Sequence, residues 1–471
     1  MHAILSRPLQ PFAASRALTL DRIDPARTDV GRIAWFDMAL ICLFLLGLYS
    51  NYTIAISAKV PFPSAPAGIA GIILLWRRRD RISAAGFAGL ICVLALFVLS
   101  VLCATDLSYL PRRTNGLIQL TYSIVIGYAL FLTVIQASRR QIAGLFLGFA
   151  VAILIGCLLE NYAGLRSISD AARNAIYRGG VYENDLRDIL YYNRIRPKFF
   201  ASEPSSVTFC YSLLTFLWMV VSRWRWKLVV YLMLVGLGMF AMPGPTLLLT
   251  LLLALPYMMF LASRRSGRLD PGRLFLVVGA SMVFLLAFVV LAKTVFPVRL
   301  EEITSGNDPS FFYRVQGPAL AAADILASYP FAGAGLTGEP FIENQVVNVY
   351  LRSPAYSAGW RAVSPATELL INYFWLHWIY LGLAWGLLLA GAVTVWLRAL
   401  GVPSPAFCWM VWAILGQASG AYVGPTCWAV LFLAGAAAVL HQRGEPQGEP
   451  RAVPRHVGRP LRPLVQAYRR F

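Results

Sequence analysis

The segment RPKFFASEPSS, residues 196–206, sets Arg196, Lys198 and Glu203 close together just ahead of an apolar run. Guanidinium and ammonium groups in such a cluster suit a phosphate or diphosphate, and guanidinium can grip one bidentately. Glu203 offers a carboxylate as base or orienter for an attacking hydroxyl. A structural role competes with this: Ser202 or Glu203 caps the helix that Pro204 opens, while Arg194 and Arg196 rest in the interface. A second stretch, 310–338, offers Arg314 as another phosphate contact or as a snorkelling interfacial arginine. Behind Arg314, residues Leu320, Ala323, Ile325, Leu326 and Tyr329 mark the apolar face of an interfacial helix. That helix runs into Pro330 and the turn Gly333-Ala334-Gly335, a weak phosphate signal by itself. The third stretch, 366–382, carries Glu368, Asn372 and His377. His377 is a candidate proton acceptor or phosphate donor. Its neighbours Trp375, Trp378 and Tyr380 equally suit packing in an aromatic belt. The sequence holds no DxD, CxxC, His-x-x-His or P-loop pattern, so no metal or other cofactor is expected.

The elements that position these residues follow from composition. Of 471 residues, 58% are hydrophobic and only 13% charged, against about 25% charged in soluble domains. The apolar residues come in blocks near the bilayer-spanning length of about 20 residues. Spans are expected near 35–56, 65–76, 84–104, 117–135, 142–162, 204–222, 226–242, 245–262, 274–296, 367–397, 406–421 and 425–441. The second is short and bracketed by Pro61, Pro63 and Pro66. The run at 367–397 is long enough for its first residues to stand above the outer headgroups. The fold class is therefore an all-α polytopic membrane protein with about twelve helices.

With the N-terminus inside, every short, strongly basic loop falls on one face: Arg77–Arg81, Arg139-Arg140, Arg223 to Lys227, Arg264 to Arg273, and Arg398. That grouping is the one expected of cytoplasmic loops. Two long loops, 163–203 and 297–366, fall on the other face, and long loops are usually functional. The segment 1–34 lacks a cleavable signal peptide, which makes the first span an uncleaved signal. The Pro/Arg-rich tail 442–471, like 1–34, reads as disordered and suited to anionic headgroups. The net charge of +19 sits mainly beside helices, so nucleic acid is not the expected partner. All seven cysteines fall in apolar segments as packing residues. No internal repeat is visible, which disfavours transporters built from inverted halves.

The three stretches, in this order, resemble the O-antigen ligase/polymerase superfamily, most closely Wzy-type exopolysaccharide polymerases of the xanthan and acetan kind. Arg196-x-x-x-Phe200-x-x-Glu203-Pro204 is similar to that family's Arg…Phe-x-x-Glu-Pro motif. Arg314 followed by Tyr329-Pro330-Phe331-x-Gly333-x-Gly335 resembles its Arg…His-Pro-x-x-Gly-x-Gly motif. Asn372 ahead of Gly382 resembles its His-Asn-x-Tyr…Gly stretch, with Ile371 where the family has histidine. Pro243-Gly244-Pro245-Thr246 stands where a Ser-Arg pair is common, so one expected arginine is missing.

The resemblance implies a membrane-embedded, metal-independent glycosyltransferase of the GT-C type in a bacterial inner membrane. Its site would be periplasmic and both termini cytoplasmic. Its substrates would be undecaprenyl-diphosphate-linked oligosaccharide repeats, as donor and acceptor. A chain-length regulator (a polysaccharide co-polymerase) and a flippase would be partners. In that frame Arg196, Lys198 and Arg314 hold the diphosphate, with Arg361 and Arg299 in reserve. Asn372 is a further substrate contact, and Glu203 and His377 are candidate bases or orienters, with Arg314 beside them. An O-antigen ligase would share the donor and differ in acceptor. A lipid-linked sugar flippase would need buried charges within spans, and a non-catalytic scaffold would not need clustered arginines.

Overall fold

The computed structural model describes residues 32–57, 60–177, 182, 185–262, 271–295, 297–352 and 365–443. Residues 1–31 and 444–471 of the expected disordered segments, Arg361, and residues 263–270 of the basic loop lie outside these residues. Each apolar run read from the sequence contains a helix: α1 (Trp35–Ser50), α2 (Ala65–Arg77), α3 (Ala84–Leu102), α4 (Leu110–Val134) and α5 (Arg139–Tyr162). Then follow α6 (Leu165–Ile176) and α7 (Asp185–Tyr192) in the first long loop, and α8 (Pro204–Val221), α9 (Lys227–Ala241), α10 (Pro245–Leu252), α11 (Ala254–Ala262) and α12 (Pro271–Val295). The second long loop holds α13 (Pro297–Thr304), α14 (Gly317–Ser328) and α15 (Glu343–Leu351). The chain closes with α16 (Tyr373–Ala399), α17 (Pro405–Gly416) and α18 (Pro425–Gln442). Among the described residues, 7 helices are long and apolar enough to cross a membrane, and five apolar stretches are shorter. This is a helical membrane-protein fold with almost no strand.

Three expected spans differ in the structure. The run 35–56 is helical only to Ser50, where Asn51 takes a left-handed conformation and its N–H caps Gly47. Ile54–Ser57 then pairs antiparallel with Val60–Phe62, Ile54 opposite Phe62. The β-branched isoleucines suit a strand as well as a span. The run 245–262 is interrupted at Leu253 between α10 and α11. Pro256 follows closely; it supplies no N–H, and its ring clashes with the carbonyl four residues back.

The run 367–397 is not one protruding helix. A short turn, Ala366–Leu369, precedes Asn372, and α16 is broken again at Gly382, where φ is 64°. The apolar face expected behind Arg314 also shifts. Pro318, Ala321, Ala322 and Ile325 are buried, whereas Leu320 is 54% exposed. Small residues lead on the buried side, so α14 lies close against α16.

Helices α8 and α18 are buried almost all round and form the centre of the bundle, against α5 and α4. Helix α12 is equally apolar but largely exposed, as a lipid-facing helix would be. Of the cysteines, Cys157, Cys210, Cys408 and Cys427 are buried, whereas Cys92 on α3 and Cys103 at its C-cap are exposed.

The basic helix ends meet at one end of the bundle. Arg139 donates to the carbonyls of Val221, Ser222 and His441, and Arg223 donates to the carbonyl of Arg443. Arg77 and Arg78 there bind the buried Asp37 carboxylate. Both long loops gather at the opposite end, where Asn161 of α5 donates to Ala241 of α9 and Tyr49 of α1 donates to Phe199.

Candidate functional site

At the end that carries both loops, α7, α8, α10 and the Arg314 turn converge on one cavity of about 50 Å³. Arg196, Glu203 and Arg314, distant in sequence, all line it. Arg187, Asp188 and Thr246 line it too, none of which stood out in the sequence. As it stands the cavity has room for a few water molecules. An anionic group larger than that would have to displace α7 or the Arg314 turn.

Each charged group is placed by a local device. Arg196 donates from Nε to Asp188 at 2.8 Å and from Nη2 to the Tyr182 hydroxyl at 3.2 Å. Its guanidinium also lies over the Tyr192 ring at 4.9 Å. Burial works against its charge, but Tyr192, Asp188 and Tyr182 outweigh that and hold its pKa above the ordinary value. Asp188 is completely buried, so Arg196 is half structural: it neutralises a carboxylate while keeping donors for a further partner. The signal was present in the sequence, since Asp188 sits one turn along an amphipathic helix from Asp185, but only the fold shows which arginine it meets.

Lys198 does not line the cavity. It is buried, and its ammonium pairs with Asp185 at 3.0 Å, so it braces α7. Glu203 occupies the N-cap position of α8 with Pro204 as the first helical residue, yet it makes no side-chain cap. Its carboxylate is exposed and borders the cavity. The carboxylate is therefore not engaged in capping. The two carbonyls just before it, Ala201 and Ser202, accept from the buried Arg173 at 2.7 and 3.0 Å.

Arg314 sits in a π-turn, Phe312–Gln316, directly ahead of α14; such turns often mark functional positions. Asn372 is completely buried and does not reach the cavity. Its amide donates to the Arg314 carbonyl at 2.7 Å and to Gln417 at 2.8 Å. Its oxygen accepts from the Phe374 and Trp375 N–H groups and caps α16. Asn372 is thus a positioning residue that ties Arg314 to α16. Asn372→Asp keeps the acceptor and loses both donated bonds. It also turns a buried carboxylate oxygen toward two acceptors, so it should cost at least as much as Asn372→Ala, roughly 1–3 kcal/mol or more, read as earlier thermal aggregation in detergent. Equal stability of wild type and both variants would discard this role.

His377 is buried within the bundle, its Nδ1 2.9 Å from the Tyr422 hydroxyl and its Nε2 3.2 Å from the Gly386 carbonyl. It is not among the residues lining the cavity. Arg299 lies on α13; Arg361 lies outside the described residues.

The turn 330–338, which resembled a phosphate loop, is spent on packing. Ala334 N–H donates to Ile379 and Leu383 N–H donates to Pro330, which together stitch the turn into the break at Gly382. Arg113, fully buried, donates to the Ala334 carbonyl at 2.8 Å.

The electrostatics of the cavity favour an anion. Three guanidiniums (Arg187, Arg196, Arg314) face two carboxylates (Asp188, Glu203). The first residues of α8 and of α10 also line it, and helix N-termini carry partial positive charge and free N–H groups. Tyr191 of α7 hydrogen-bonds Glu302 of α13, so both long loops close over the same place. Burial, with Glu302 and Asp308 adding to it, pushes the Tyr191 hydroxyl above its usual range.

No protein-family model matches this sequence, and no curated protein matches it.

Proposed function

We propose that this chain is a glycan polymerase that joins lipid-diphosphate-linked oligosaccharide repeats on the outer face of a bacterial inner membrane. The observation that carries the reading is the meeting of Arg196, Glu203 and Arg314 in one electropositive cavity beside two helix N-termini. An acceptor sugar hydroxyl attacks the anomeric carbon of the donor, and the lipid diphosphate leaves. The leaving group gathers negative charge, which preorganised guanidiniums and helix N-termini stabilise. Glu203 is the exposed carboxylate at hand to take or orient the hydroxyl proton.

The resemblance expects an arginine near 243–247, where this chain has Pro243-Gly244-Pro245-Thr246. Residues Gly244 to Thr246 line the cavity, and Arg187 brings a guanidinium to the same wall space. We assign Arg187 the missing charge. The reading takes twelve spans, with the five shorter apolar stretches crossing or dipping into the bilayer, and a GT-C-like arrangement with cytoplasmic termini. A chain-length regulator and a flippase are the expected partners.

Purified protein in nanodiscs, supplied with undecaprenyl-diphosphate-linked repeats, should lengthen the glycan and release undecaprenyl diphosphate. Transfer only to a different acceptor would make it a ligase. Absence of both products, with intact protein, would discard glycosyl transfer. In the same assay His377→Gln should retain polymer formation, since His377 packs against Tyr422 and Gly386 away from the cavity. A hundredfold loss there, with normal stability, would restore His377 to the chemistry; about that loss accompanies removal of a general base.

A further inference from the structure

A second and much larger space, a groove of about 1220 Å³, is lined by Phe199 and Phe200, three residues from the cavity residues Arg196 and Glu203 respectively. Small-molecule pockets usually measure about 300–1,000 Å³, so this groove suits something longer. Its deep wall is α1, where Leu43 and Leu46 are 36% and 49% exposed. Its rim is polar, with Ser50, Asn51 and Tyr177 at the level where α1 ends. The groove is therefore apolar at the depth of a membrane helix and polar at the helix end.

A strained turn in the loop that supplies Arg196 and Glu203 to the cavity supplies the groove as well. Phe199 and Phe200 line the groove, and both hold left-handed backbone, φ 35° and 63°. Consecutive non-glycine residues in that region cost roughly 1–3 kcal/mol each and persist only where the surroundings enforce them. Here the surroundings do. The buried Glu160 carboxylate accepts the N–H groups of Lys198 and Phe199 at 3.0 and 2.5 Å. Ser169 accepts the Phe200 N–H at 3.0 Å. Tyr49 and Tyr177 donate to the carbonyls of Phe199 and Phe200. The clamp turns two phenyl rings into the groove from the same loop that sends Arg196 to the cavity. Arg196 and Phe199 are three residues apart, so their Cα atoms are at most about 11 Å apart.

We infer that the groove holds the polyprenyl chain of the lipid-diphosphate donor, with the clamped turn as the threshold between chain and diphosphate. The inference rests on the proposed glycosyl transfer for the identity of the headgroup. Its argument is the order of surfaces: hydrocarbon wall, polar rim and cationic cavity follow one another as chain and diphosphate do in such a lipid.

The test uses the full chain in phosphatidylcholine nanodiscs and two photoprobes. One is a polyprenyl diphosphate with a diazirine in its chain; the other is phosphatidylglycerol with a diazirine in an acyl chain. The polyprenyl probe should label peptides containing Leu46, Ile176 and Phe199-Phe200, and excess unlabelled phosphatidylglycerol should not compete. Ala175→Trp and Leu46→Trp, each at an exposed groove position, should lower labelling at least about tenfold by displacing a few chain methylenes. Equal labelling by the phosphatidylglycerol probe, or polyprenyl labelling confined to other helices, would overturn the inference. Groove labelling without polymer formation would leave the groove standing and remove glycosyl transfer. Normal polymer from wild type and both tryptophan variants, with no groove labelling, would do the reverse.

Discussion

Arg314→Ala should abolish high-molecular-weight polymer while the amount of membrane-inserted protein stays at the wild-type level. Single lipid-linked repeats should accumulate. The guanidinium reaches the cavity from a π-turn, and the backbone of that turn is anchored separately through Asn372. Removing the side chain therefore removes charge without removing the anchor. Loss of one preorganised donor to a developing anion costs about 10²–10³ in rate. Arg314→Lys should fail nearly as badly, because an ammonium cannot reproduce bidentate contact with a phosphate. Normal polymer from Arg314→Ala would take Arg314 out of the site.

Arg196 needs a different design. Its partner Asp188 is wholly buried, and breaking such a pair from one side costs about 3–5 kcal/mol. Arg196→Ala alone should thus lower the amount of folded protein. Combining it with Asp188→Asn should restore protein without restoring polymer. If the double variant makes normal polymer, Arg196 only neutralises Asp188.

Gly333→Ala should give a large loss of stability. Gly333 has φ 57°, and a Cβ there would lie 2.3 Å from the Ile379 carbonyl oxygen and 2.7 Å from the Gly382 nitrogen. Both are backbone atoms, so neither can swing aside. On the other side, a Cβ on Gly382 would lie 2.7 Å from the Gly333 nitrogen. The two glycines are a matched pair that lets the 330–338 turn plug the break in α16. Left-handed strain and overpacking together should cost about 3 kcal/mol or more. Heating in detergent before size-exclusion chromatography would show it as early aggregation, and Gly382→Ala should behave alike. Wild-type behaviour of both would mean that the turn does not pack on the helix break.

The sequence was most informative where physics is local. A bilayer admits only segments whose backbone bonds are satisfied internally, so apolar run length located the helices. Charge placement grouped the basic loops, and contacts of Arg139, Arg223 and Arg77 bring those helix ends together. Pro204 and Pro245 marked helix starts. Interruptions inside apolar runs were less legible, since the isoleucines at 54–57 and the glycine at 382 do not change the mean hydropathy of a window.

Arg196, Glu203 and Arg314 were legible as candidates because charged residues are sparse in such a chain. Their assembly was not, nor were Arg187 and Asp188 as members of the cavity. Lys198, Asn372 and His377 have the right chemistry in sequence, but the fold turns them to bracing, anchoring and packing. Residue type states what a side chain can do. Which partner it meets depends on contacts between segments far apart in the chain, and no local spacing encodes those contacts.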